Sequence, residues 1–116
     1  MQKLYLVQSD NKLISQHLTI ASNSFQRMKG LLGTHELKDD HMLWIKMCNS
    51  IHTFFMNYPI DCIFLDDKLV IRGLKENIVP WRATWPVIAA NSVIEMRAGS
   101  IKKFDLKEGD KFYVGA

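Results

Sequence analysis

The chain has 116 residues, 47% of them hydrophobic, which is enough for one core and one domain over residues 1–116 and too few for a second. Its 15 Lys and Arg against 12 Asp and Glu leave a net charge of +3, interspersed along the chain, so neither a nucleic-acid surface nor an anionic-membrane surface is expected. Two cysteines, Cys48 and Cys62, are too few for a disulfide scaffold and lack CxxC spacing, so both are expected as free thiols with no metal and no cofactor.

Leu4 to Val7 and Leu13 to Ile20 read as strands around Ser9-Asp10-Asn11, whose short polar side chains bond their own backbone in a turn. Ser22, Asn23 and Ser24 are helix caps, and Phe25, Met28 and Leu32 recur at helical spacing until Gly30 and Gly33 end the pattern, which predicts one short helix within Ser22 to Leu32. Thr34 to His41 is polar and turn-like. Met42 to Met47 predicts the next strand, and Lys68 to Val79 a later one with Gly73 as a candidate bulge, stopped by Pro80. Trp81 to Pro86 is a connector, Ser92 to Arg97 a strand, and Glu108-Gly109-Asp110 a turn into a final strand from Lys111 to Val114. The sum is a β-rich α+β domain, a curled and mostly antiparallel sheet or partly closed small barrel with one short helix. No strand–helix–strand alternation and no phosphate loop argue for a nucleotide-binding fold.

The most informative run extends from Cys48 to Asp67, where two apolar stretches flank Tyr58-Pro59 and hold His52 and Asp61. Polar groups inside such strands are hydrogen-bonded, exposed in a cleft, or chemically used. With Tyr58 and Pro59 at the tip of a tight hairpin, His52 falls opposite Leu65 and shares a face with Phe54, Met56, Asp61, Ile63 and Leu65. Four residues of ladder then separate His52 from Asp61, about 13 Å, too far for a hydrogen-bonded pair. The same register puts Cys62 opposite Phe55, away from Cys48. Cys48 and His52 share a strand face, but a thiolate–imidazole dyad requires a sharp bend between them. For Asp61 two readings stand side by side, a ligand-facing carboxylate and a carboxylate accepting backbone N–H groups; for His52 the alternative to function is a hydrogen-bonded core histidine. His17, His35 and His41 form no metal-ligand spacing. Val79-Pro80-Trp81-Arg82 adds an aromatic face and a guanidinium fork in a loop, the chemistry of carboxylate, phosphate or sugar recognition.

Taken in order, Arg27-x-x-Gly30-Leu31-Leu32, Ser50-Ile51-His52-Thr53-Phe54-Phe55-Met56, Pro59-Ile60-Asp61, Phe64-Leu65-Asp66, Val79-Pro80-Trp81-Arg82, Glu95-Met96-Arg97-Ala98-Gly99 and Gly109-Asp110 resemble the small prokaryotic proteins of the domain-of-unknown-function 192 family. The resemblance covers most of the chain. It departs at Leu32, where many members carry Met, and at the more polar Met96-Arg97. The family's name implies no activity. Some members are exported or lipid-anchored; Met1 to Val7 is too short for a signal-peptide core and no apolar stretch is long enough to span a bilayer, so a cytoplasmic protein is expected.

Three functions follow as expectations. The first is an uncharacterised ligand-binding or accessory domain that takes a small polar or anionic molecule in a groove near His52, using Arg27, His52, Asp61, Trp81 and Arg82. The second is a hydrolase or isomerase with His52 and Asp61 as acid–base groups, which requires the two within hydrogen-bond reach. The third is a protein–protein interaction module without catalysis.

Overall fold

The computed structural model describes residues 2–21, 37, 40–54 and 56–116. Seven strands, β1 (Gln2–Leu6), β2 (Lys12–Ala21), β3 (His41–Lys46), β4 (Ile60–Leu65), β5 (Ile71–Ile78), β6 (Ser92–Arg97) and β7 (Phe112–Gly115), form one sheet in the order β5-β4-β6-β3-β2-β1-β7. The described helices are short: a 3-10 turn at Val7–Ser9 and α1 (Ser100–Lys103). The expected helix within Ser22 to Leu32, the Arg27 position in it, most of Thr34 to His41, and Phe55 lie outside the described residues.

Every pairing is antiparallel except β2 with β3, which run parallel from His17↔His41 to Ala21↔Ile45. Parallel neighbours cannot be joined by a tight turn, and β2 and β3 are correspondingly far apart in the sequence. The sheet curls until its two edges meet at one end. Val70 bridges Lys111, Phe112 N–H donates to the Leu69 carbonyl at 2.9 Å, and Ile71 N–H donates to that of Asp110 at 2.8 Å. The result is a mostly-β half-barrel with mixed strands and short helix, as the strand-rich pattern predicts.

Both faces of the sheet are covered, and β4 shows why its sequence does not alternate polar and apolar: all six of its residues are buried. Ile63 and Leu65 point into the barrel with Leu4, Leu18, Ile94 and Phe112, closed at one end by Ile101 and Leu106 around α1. Ile60, Cys62 and Phe64 point outward under Ile51, Met56, Tyr58 and Ala90, which belong to the irregular segments between β3 and β4 and between β5 and β6. Gly73 shows how closely the second of these segments lies on the sheet, since a Cβ there would stand 3.2 Å from Val87 Cγ2. The ladder of β5 on β4 also slips between Phe64↔Gly73 and Leu65↔Ile71, the irregularity expected beside Gly73.

One expectation is corrected. The run from Ile51 to Met56 is not the first arm of a hairpin around Tyr58-Pro59, and His52 bridges Ala83 rather than facing Leu65. The reason is topological: β4 lies between β5 and β6, so both of its hydrogen-bonding edges are already used.

Candidate functional site

What pairs with the His52 segment is the connector after β5. Val87 N–H donates to the Asn49 carbonyl (2.9 Å), Thr84 N–H to that of Ile51 (2.9 Å), Thr53 N–H to that of Arg82 (2.7 Å) and Trp81 N–H to that of Thr53 (3.0 Å). Buried Thr53 locks the crossing, its hydroxyl donating to the Val79 carbonyl at 2.7 Å and accepting from Arg82 N–H at 2.9 Å. Thr84 acts likewise from the other side, its Oγ1 accepting Ile51 N–H at 3.0 Å. Two motifs that are far apart in sequence are thus one structural unit.

On this frame the His52 and Phe54 rings stack at 4.7 Å, and Phe54 stacks on Trp81 at 5.9 Å. Nδ1 of His52 accepts Phe54 N–H at 3.3 Å, which requires the neutral ring to carry its proton on Nε2. Trp81 adopts φ 67, a left-handed conformation that is uncommon for a bulky residue and costs on the order of 1–3 kcal/mol; the Thr53 bonds on either side of it hold it there. Trp81 is 57% exposed. Next to it the exposed Arg82 guanidinium touches the Trp81 carbonyl at 3.4 Å. Below the rings a cleft of about 310 Å³ is lined by Cys48, Ser50, His52, Phe54, Ala83 and Thr84 among others. The Cys48 thiol faces it but donates to the Ser50 carbonyl at 2.8 Å, a packed thiol rather than one held by a base.

Asp61 is elsewhere. Alternation along β4 turns it into the barrel with Ile63 and Leu65, whereas His52 belongs to the outer layer. Fully buried, its carboxylate accepts N–H groups from Asn77 (2.8 Å), Gly99 (3.0 Å) and Ile101 (3.0 Å). It thereby caps α1 and fixes the end of β5, where Asn77 takes φ 50, and the β6–α1 turn, where Gly99 takes φ 96. Of its two readings this geometry is the second, and it leaves His52 without Asp61 as an acid–base partner.

His52, Trp81 and Arg82 are therefore brought together, Asp61 is separated from them, and Arg27 is outside the described residues. Thr53, Thr84 and Phe54 were not singled out as site residues; the signal that points to them is the pairing of the two motifs, which no spacing within either one reveals. A larger depression of about 700 Å³ lies at the β5–β7 seam among Val7, Leu69, Lys111 and Tyr113 and is lined by none of His52, Asp61, Trp81 and Arg82. Among the described residues no three His, Cys, Asp or Glu side chains converge as metal ligands, and no helix is long and apolar enough to cross a membrane.

A half-barrel whose outer face carries this motif pair defines a class of small β-rich domains, and the comparisons identify it. Residues 5–114 match the model of DUF192, described as "Uncharacterized ACR", and the chain belongs to that family. It is 32% identical over 104 residues to a UPF0127 protein of Thermococcus sibiricus, covering 86% of this chain and 67% of that protein. It is also 32% identical over 98 residues to a UPF0127 protein of Thermococcus gammatolerans, covering 81% of this chain and 63% of that one. The chain thus spans about two thirds of the length of these relatives. Two crystal structures share the fold. One, from Sinorhizobium meliloti 1021 and described as a candidate transcription regulator, superposes with TM-score 0.78 at 20% identity over 98% of this chain and 94% of its own. The other, a protein of unknown function from Novosphingobium aromaticivorans, gives 0.77 at 21% identity over 96% and 83%.

Proposed function

We propose that this DUF192 domain binds a small polar or anionic molecule in the cleft beneath the His52–Phe54–Trp81 stack. The observation that carries the reading is the knitting of residues 49–53 to residues 81–87, which puts the His52 and Phe54 rings in the wall of one cavity, with the Trp81 ring stacked on Phe54 and the exposed Arg82 guanidinium next to Trp81. Aromatic walls with a few converging polar groups are the pattern of small-ligand sites, and a guanidinium at the rim selects for carboxylate or phosphate. The strained Trp81 backbone supports it, because such strain gathers where a binding surface has to be presented.

Phenyl phosphate joins a ring to an oxyanion and is the probe of choice. In the full chain it is expected to shift the amides of Ser50 to Phe54 and of Trp81 to Thr84, and to quench tryptophan emission. Arg82→Gln and His52→Gln are each expected to weaken this response about fivefold or more, the loss of one charge-assisted or neutral hydrogen bond. Shifts that are absent, or that persist unchanged in both variants, overturn the reading. The interaction-module reading draws on Trp85 and Ile88, 86% and 88% exposed on the same connector, and sedimentation over a range of concentrations separates the two.

A further inference from the structure

The three most exposed large apolar side chains among the described residues, Ile88 (88%), Trp85 (86%) and Met47 (85%), all stand on the two segments that cross over the outer face of the sheet. Phe54, Val79 and Trp81 are exposed on the same two segments. Their neighbours Ile51, Val87 and Ala90 pack inward on the sheet, so this layer is covered on one side and open on the other. An apolar residue exposed singly needs no explanation, but a group of this size on one layer marks an interaction surface. Met47 and Trp81 also take φ 54 and φ 67, left-handed conformations uncommon for bulky residues, and in both cases the side chain so held is an exposed one.

The chemistry of the face limits what fits it. Residues 47–60 and 77–91 hold one formal charge, Arg82. A strongly acidic or basic partner finds no matching field there, and attachment to an anionic bilayer draws on clusters of Lys and Arg that the face lacks. The exposed parts of the six apolar side chains come to on the order of 800 Å², one partner's share of a standard interface. Its two ends are complementary in charge. Arg82 lies at the end where Thr53 N–H meets the Arg82 carbonyl, and Met47 at the end where Cys48 N–H meets the Asn91 carbonyl, about 16 Å away at the extended rise per residue. Met47 shares a depression with exposed Asp67. Asp66 in that depression is already engaged by Arg72 at 2.9 Å, and Lys46 is turned over the Trp44 ring, its Nζ 4.8 Å from the centroid. A two-fold axis through the middle of the face lays the Arg82 end of one copy on the Asp67 end of the other, pairs the charges twice and keeps the two guanidinium groups apart.

We infer that a second copy of this chain covers the face, in a two-fold homodimer with Trp85 and Ile88 at its centre and an Arg82–Asp67 pair between copies at either end. The inference takes up the interaction surface noted above and does not depend on a ligand in the cleft: the phenyl phosphate response decides that reading, and self-association decides this one.

Sedimentation velocity of the full chain across the micromolar range is expected to show monomer passing into dimer and no larger species. Trp85→Ser and Ile88→Ser are each expected to weaken dimerisation about tenfold or more and, because both side chains are exposed, to leave the thermal midpoint nearly unchanged. Tyr113→Ser, at an exposed position on β7, is expected to leave the association intact. Arg82→Glu and Asp67→Arg are each expected to weaken it about fivefold, and the double variant to recover most of that loss, since reversing both charges restores the pairs. A chain that stays monomeric up to millimolar concentration overturns the proposal, and so does one that stays monomeric and co-sediments with phosphatidylglycerol vesicles instead. Association that Trp85→Ser and Ile88→Ser leave intact, that Tyr113→Ser weakens equally, or that proceeds past the dimer overturns it as well. A double charge variant no better than either single one does the same, because it denies the two-fold pairing.

Discussion

Two carboxylates near opposite ends of β4, Asp61 inside the strand and Asp66 just past it, illustrate how differently a buried Asp is used. Asp61 holds three backbone N–H groups, and an Asn in its place turns an N–H group toward at least one of those donors. Asp61→Asn is therefore expected to cost about 1–3 kcal/mol and to lower the thermal midpoint by several degrees, while His52→Gln and Arg82→Gln leave it nearly unchanged. Melting curves of the three variants check this; an Asp61→Asn protein as stable as the parent refutes the capping role. Asp66 is governed by opposing effects. Burial pushes its carboxyl up, but the N–H groups of Val70 and Lys68 and the Arg72 guanidinium outweigh that and hold it below the ordinary carboxylate value. A carboxylate with a depressed folded pKa stabilises the protein above the unfolded value, about 3.9, and loses that contribution as pH falls through the folded one. Acidification below about pH 4 should thus lower the midpoint of the parent more steeply than that of Asp66→Asn, in which this ionisation is absent.

Among the elements, the crossing of the His52 segment with the Trp81 connector rests on Thr53 more than on any aromatic residue. Thr53→Val keeps the shape of the side chain and removes the hydroxyl, leaving the Val79 carbonyl and Arg82 N–H without that partner. The expected result is faster amide exchange at Trp81 and Arg82 with exchange on β4 and β6 unchanged, a local opening rather than a global one. Exchange that accelerates everywhere means that the crossing is part of the core instead. Thr53 also marks the limit of what the sequence discloses. β6 was legible to the residue, Ser92 to Arg97, and β1, β2, β3 and β7 to within two residues, because alternation and turn chemistry are local, whereas β5 begins at Ile71 rather than Lys68 and the fully buried β4 carries no alternation to read. Which strands become neighbours is not local. An apolar arm before Tyr58-Pro59 looks like half of a hairpin until β5 and β6 are seen to occupy both edges of β4. α1, four residues long, is too short to show a period. The candidate site was visible as two separate motifs, and their pairing came only with the fold; Asp61 was indistinguishable from a ligand group because a carboxylate that caps a helix and one that binds a ligand present the same letter.

For the whole molecule, the arrangement of the edges matters most. β7 pairs with β1 through Lys3↔Gly115 to Leu6↔Phe112, so strands from the two extremes of the sheet-forming sequence lie side by side, and Phe112 seals the interior they share. A translating ribosome releases β1 first and β7 last. Until Phe112 emerges, β1 has one exposed edge and the barrel lacks a side chain that fills its interior, so the nascent chain passes through a stage with an unpaired strand and a solvent-facing core. Such long-range closure is slow compared with local pairing, because the entropy of joining distant segments is lost before the contacts form. The same closure makes the last strand a latch: it joins the Leu69–Ile71 end of β5 to the Asp110–Phe112 end of β7.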